Sequence, residues 1–289
     1  MLVFLPSVFG ESLLTHNVLT VDVEDWYHVC GSGGAVTVPP RGSWRVRRNL
    51  ERILALLSEH DQKGTFFMLG SVAENDPDLA PMICSAGHEI ASHGYSHRLV
   101  SDLTPLQFRD ELQLTERILV EQTGQRPFGY RAPQWSLSEQ AGWPFAILRE
   151  EGYLYDSSLN PLPFVGNSRG SRTPYRLEGE GAGLWEVPPM VTRSWIGNLP
   201  TGGGWGFRFF PFRTICTTID GLNRSHQPAV LYLHPREVDS AGPRLDLHFP
   251  KRFVSYGTRT DASIRLSGLL QRYRFTTIKE LLNTWQHVS

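Results

Sequence analysis

Asn17-Val-Leu-Thr-Val-Asp22-Val-Glu24-Asp25 is a run rich in β-branched residues that ends on three acids. It reads as a buried strand whose last residues turn polar. Strand-like and helix-like segments alternate downstream. Val46, Leu50, Ile53, Leu54 and Leu57 recur at three- and four-residue spacing and mark a helix face. Gly64-Thr-Phe-Phe-Met-Leu69 is a short buried strand. Residues 77–86 read as a helix closed by Gly87, and His88–Ser92 as the next strand. Thr104-Pro105 offers an N-cap followed by proline at the first helical position, opening a helix that stops at Gly124. Phe128–Arg131 is strand-like, residues 138–151 are helical with Gly152 as terminator, and Tyr153–Tyr155 is a brief strand.

The alternation then lapses. Residues 160–184 are rich in Gly, Pro, Arg and Ser and predict a long surface loop. Leu184–Val187 resumes as a strand, Thr201–Gly206 is irregular, and a helix follows over 211–223. Ala229–His234 is a clear strand. A late helix, the strand Phe275–Ile278 and a terminal helix through Trp285 complete the chain. Strands alternating with helices imply an α/β fold with parallel βα units. The reading is one domain over 1–289, with a core of about 17–286 and a loop-rich insertion at 160–206.

Composition narrows the function classes. Hydrophobic residues make up 40% of the 289 and charged residues 20%, enough for a sizeable core. The formal net charge of −1 provides no basic field for nucleic acid or anionic lipid, so neither is an expected partner. Cys30, Cys84 and Cys216 are odd in number, far apart and form no CxxC, which argues against a disulfide framework or a thiolate zinc site. No window approaches the roughly 20 apolar residues of a membrane helix. Met1–Gly10 is apolar but short and lacks a basic leader region, so it reads as a loose leader or an extra first strand. A cytoplasmic location is the corresponding expectation. Composition leaves a homo-oligomer open.

The chemistry concentrates at strand ends. His93-Gly-Tyr-Ser-His97 places two imidazoles four residues apart, so both can reach one point, and imidazole is a common ligand of zinc and similar divalent ions. A third ligand can come from the acids that end the first run. Arg131 and His234 end two further strands, and in a βα barrel such positions line a single face. Each residue also has a plainer reading. The histidines could be loop residues, Arg131 a surface charge, and Trp135 part of the core or a sugar platform. Asp156 could cap a turn. Trp205 could be core or substrate wall. Arg236 and Glu237 could be a solvated pair or support His234.

Taken together these segments resemble the NodB-homology polysaccharide deacetylases, carbohydrate esterase family 4. The resemblance rests on Val21-Asp22-Val23-Glu24-Asp25, His93-Gly-Tyr-Ser-His97, Arg131-Ala-Pro-Gln-Trp135, Tyr155-Asp-Ser-Ser and Leu231-Tyr-Leu-His234, in the family's order. The phrases around them are similar to a branch linked to bacterial exopolysaccharide loci. The resemblance implies a distorted (β/α) barrel, a divalent metal, usually zinc (Zn²⁺), and hydrolysis of N-acetyl groups from an amino-sugar glycan. Relatives acting on small cyclic amides, or not active on glycans, leave two further readings: a cyclic-amide hydrolase and a non-catalytic carbohydrate-binding protein. Better-known members carry two adjacent acids in the first motif, whereas this chain has Asp22-x-Glu24-Asp25. Strand alternation puts Asp22 and Glu24 on one face and Asp25 on the other. The expected assignments are Asp22 as base, His234 as acid, Arg131 as the partner of Asp22, and Glu24, His93 and His97 as metal ligands. Asp25 is the alternative ligand if the strand has ended or bulged. Trp135, Asp156 and Trp205 are the expected substrate contacts.

Overall fold

The structure, a computed structural model, describes residues 16–29, 39–179, 183–258 and 260–286. The Met1–Gly10 segment and Cys30 lie outside the described residues. In chain order the strands are β1 (Asn17–Val23), β2 (Thr65–Met68), β3 (Glu89–Ser92), β4 (Gly129–Tyr130), β5 (Tyr155–Asp156), β6 (Tyr175–Leu177), β7 (Leu184–Glu186), β8 (Thr192–Ser194), β9 (Gly197–Leu199), β10 (Val230–Leu233) and β11 (Phe275–Thr276). The helices in the first half are α1 (Val46–Glu59), α2 (Gly70–Asn75), α3 (Leu79–Ser85), α4 (Pro105–Thr123) and α5 (Trp143–Glu150). Those in the second half are α6 (Gly204–Phe209), α7 (Phe212–Arg224), α8 (Lys251–Tyr256), α9 (Ser263–Arg272) and α10 (Ile278–Gln286).

The main sheet runs β10-β1-β2-β3-β4-β5-β7-β6, with β11 also on β1. Its pairings are parallel except β6–β7. The chain leaving β7 spans the gap between the two ends of the curl. Val187 N donates to Asp156 O at 2.9 Å on the β5 side, and Met190 N donates to Val230 O at 2.7 Å on β10. The result combines the parallel βα units that the alternating pattern predicts with the distorted (β/α) barrel that the family resemblance implies.

Period-two alternation sorts each strand onto two faces. Leu19, Val21, Val23, Phe66, Met68, Ile90, Leu231 and Leu233 face the helices and join one core with Leu50, Ile53 and Leu57 of α1 and Leu266 and Leu269 of α9. Val18, Phe67, Ala91, Tyr155, Val187 and Val230 fill the concave side, over Ile278, Leu281 and Leu282 of α10. Full burial of each such side chain contributes about 1.5–3 kcal/mol, which fixes the register. Asp22 shares the parity of Val18 and so ends β1 on the concave side.

Helix ends follow the sequence signals. Thr104 and Gln107 close a reciprocal capping box around Pro105, and Gly124 ends α4 at φ 69°, donating to Val120 O. The differences lie where tertiary contacts set the structure. The helix expected over 77–86 is the shorter α3, with α2 before it, and the 138–151 segment splits into a 3-10 turn at Glu139–Ala141 and α5. The loop expected over 160–184 carries β6, and the hairpin β8–β9 follows within the insertion. Thr201–Gly206 is not wholly irregular, because α6 begins inside it. Gly203 pairs with Tyr232 of β10, and a Cβ there would sit 2.2 Å from the Tyr232 carbonyl oxygen, so only glycine allows the approach. Among the described residues no helix is long and apolar enough to cross a membrane.

Candidate active site

The concave face ends in two adjoining clusters. The first is built by the ends of β1 and β3. Glu24 N donates to Asp22 O at 2.9 Å, a tight turn that ends the strand and keeps the Glu24 side chain over the barrel. Glu24 Oε1 lies 3.1 Å from His93 Nε2 and 2.9 Å from His97 Nε2. All three residues are buried, and their donor atoms lie within 4.8 Å of one another. His93 Nδ1 donates to the Arg131 carbonyl at 2.7 Å, which leaves Nε2 to face the carboxylate. His97 adopts φ 62°, a left-handed conformation unusual for this residue type, which turns its ring back toward His93. Burial alone would raise the Glu24 pKa. Nearby His97 and His234, with hydrogen bonds from His93 and His97, hold it well below the usual carboxylate range. Two imidazole nitrogens and a carboxylate oxygen in a buried pocket are a donor set that suits zinc or a similar divalent ion.

The second cluster is centred on Asp22. Arg131 is fully buried at the end of β4 and donates to Asp22 Oδ1 at 2.6 Å and to Thr20 Oγ1 at 2.8 Å. Ser157 fixes the rest of the guanidinium through its carbonyl, 3.1 Å from Nε, and its hydroxyl, 2.8 Å from Nη2. Phe67 forms the floor, with its ring centre 4.1 Å from Arg131 Cζ. The other Asp22 oxygen, Oδ2, lies 3.7 Å from His234 Nε2. His234 follows β10 and is partly exposed, so its ring is reachable from outside. Trp135 stands at the mouth, 5.1 Å from Arg131 Cζ and edge-on to Tyr232 at 4.9 Å, with φ 58°.

Asp22, Arg131 and His234 are therefore brought together, beside Glu24, His93 and His97 and under Trp135. Three other residues named from the sequence are placed elsewhere. Asp25 points away from the histidines, as the parity of Val23 dictates. Its carboxylate accepts from Trp26 N at 2.7 Å and Arg45 N at 3.0 Å, next to the start of α1. Asp156 is fully buried and has no surface for a substrate. It accepts from Ser158 Oγ at 2.6 Å and Ser158 N at 3.1 Å, and Ser158 Oγ in turn accepts from Ala132 N at 2.8 Å. Asp156 thus shapes the Arg131 loop from below. Trp205 stacks with Phe209, Phe210 and Phe253, with ring centres 5.7–5.9 Å apart, in an aromatic cluster separate from the Trp135–Tyr232–His234 rings.

Sequence reasoning gave no firm role to Arg236, Glu237, Arg208 or Glu186. Arg236 Nη1 lies 2.7 Å from Glu24 Oε2, so it holds the oxygen that the histidines do not face. Glu237 Oε2 accepts from His234 N at 3.1 Å, and Oε1 lies 3.3 Å from Arg208 Nε. The proline that opens a turn at Pro235–Val238 was the available signal, because it turns the two following side chains back toward the strand end.

Residues 38–153 match the model of the polysaccharide deacetylase family, and 157–283 match a domain of unknown function, DUF3473. A peptidoglycan deacetylase from Helicobacter pylori is 30% identical over 176 residues, which is 59% of this chain and 59% of that protein. A solved structure from Mycobacterium smegmatis assigned to the polysaccharide deacetylases is 25% identical, with TM-score 0.55, covering 76% of this chain and 77% of its own. One from Pseudomonas aeruginosa PAO1, assigned to the same family, has TM-score 0.63 at 18% identity and covers 94% and 91% of the two chains. Over residues 38–153 the chain matches the polysaccharide deacetylase domain, and it spans less than two thirds of the length of curated relatives such as the Helicobacter pylori protein.

Proposed function

We propose that this protein is a metal-dependent hydrolase that removes N-acetyl groups from the amino sugars of a bacterial poly- or oligosaccharide, with zinc as the ion. The observation that carries the reading is the meeting of two buried clusters on one face: a donor set of two imidazoles and a carboxylate, and an aspartate between an arginine and a histidine. Glu24, His93 and His97 would hold a divalent ion, which would supply Lewis-acid chemistry toward water and the amide carbonyl.

The chain's own residues then handle the protons. Asp22 accepts one from the attacking water through Oδ2, because Arg131 occupies Oδ1 and keeps the carboxylate oriented. His234 donates its Nε2 proton to the departing nitrogen as the C–N bond breaks. The proton on Asp22 returns to Nε2 across the 3.7 Å gap. The balance is amide plus water giving acetate plus amine. Trp135 offers a ring face at the mouth against which a pyranose can stack.

The similarity of the surrounding phrases to exopolysaccharide-locus relatives supports an extracellular-type glycan or its precursor as the substrate. The test is acetate release from a panel of N-acetylated oligosaccharides, measured after chelation and again after zinc is restored. Zinc-restored acetate supports the proposal. Metal binding with no acetate from any glycan overturns it.

A further inference from the structure

The turn after β10 does more than end a strand. Pro235–Val238 is a single 3-10 turn, and Glu237 within it is 4% exposed. One of its oxygens caps the turn by accepting from His234 N at 3.1 Å. The same oxygen lies 3.6 Å from His234 Nδ1, a buried nitrogen with no hydrogen-bond partner. The His234 ring therefore sits between two carboxylates, with Nε2 toward Asp22 and Nδ1 toward Glu237. Glu237 is itself held in place. Arg208 of α6, 6% exposed, lies 3.3 Å from Glu237 Oε1. Asp156, the acid that the sequence offered for the fourth motif, is engaged with Ser158 instead and is fully buried.

We propose that Glu237, clamped by Arg208, is the positioning residue for His234: it accepts the Nδ1 hydrogen and so keeps the Nε2 hydrogen aimed at the leaving nitrogen. This rests on the reading of His234 as the acid. The geometry gives the physical reason. An imidazole that must lose a proton from Nε2 needs its other nitrogen protonated and held, and a carboxylate on that side does both. The 3.6 Å separation is longer than a hydrogen bond, and a small rotation of the ring closes it, as apo sites often require. Arg208 keeps Glu237 from swinging away and supplies its counter-charge.

The test uses the zinc-loaded protein and a series of aryl acetates graded by leaving-group pKa, so it needs no glycan. An acid matters more as the leaving group becomes more basic. Glu237→Gln is expected to steepen the fall of kcat with leaving-group pKa. It is also expected to lower kcat on N-acetylated chito-oligosaccharide by about 10–100-fold, the range for a lost outer partner, at little-changed KM. Arg208→Met should shift the same slope in the same direction, and Glu237→Gln should add nothing in a His234→Ala background. Equal losses across the whole ester series would mark a purely structural residue and overturn the proposal. So would an additive effect in the His234→Ala background. Failure of the wild-type protein on glycans alone would count against the deacetylase reading, and the ester slope would still decide the role of Glu237.

Discussion

Two neighbouring acids, Asp22 at the end of β1 and Glu24 in the turn after it, have different partners. Asp22 has a buried arginine on one oxygen, and Glu24 has two imidazoles on one oxygen and Arg236 on the other. His93→Ala should therefore remove both metal and activity, because it takes one of three converging donors. Metal content by elemental analysis and acetate release together check this. Arg131→Met should cost more than activity. It leaves Asp22 buried without its partner, a change worth roughly 3–5 kcal/mol, readable as a fall in denaturation midpoint. The placement of Asp22 on the concave face could be read from the sequence because strand alternation fixes which side chains share a face. Arg236 and Glu237 could not be read in the same way, since a tight turn after a strand has no periodicity to show where its side chains go.

At the scale of elements, β5 and β7 carry a linked pair of acids. Asp156 and Glu186 are register partners on parallel strands and both are fully buried. Burial raises Asp156 from 3.8 to about 6 against the hydrogen bonds it accepts, and burial plus the charge of Asp156 pushes Glu186 well above its usual range, so Glu186 holds the pair's proton. Because the folded-state pKa of Asp156 is raised, its contribution to stability is fully present below about 3.8 and is lost as pH rises through about 6. Thermal melts from pH 4 to pH 8 should show that loss in the wild-type protein and a flatter profile in Asp156→Asn, which removes the titrating group. A second element-level expectation concerns α4. Thr104→Ala removes half of a capping box and should lower stability by about 1 kcal/mol. That cap was legible because Thr-Pro carries its own local signal. The strands β6, β8 and β9 were not, because three-residue strands are defined by their partners rather than by any pattern of their own.

Across the whole molecule, the curl of the sheet collects the ends of β1, β3, β4 and β10 at one rim, so residues more than 200 positions apart in sequence meet at a single site. The order of βα units makes that rim legible in the sequence. The insertion between β5 and α6 was harder to read, since Gly203 and the Val187–Met190 crossing depend on close approach to β10. Binding of an ion by two distant segments, the ends of β1 and β3, should also tie the folded state together. Saturating zinc is expected to raise the melting temperature by on the order of 5 °C, and chelation should reverse the change.

The most direct test of a site divided between metal binding and proton transfer is Asp22→Asn, assayed at once for zinc stoichiometry and acetate release. The geometry predicts that the variant binds zinc as the wild type does and that its acetate release falls by roughly 10²–10⁴-fold. Turnover near the wild-type rate with zinc bound would contradict the assignment of Asp22 and with it the division of the site.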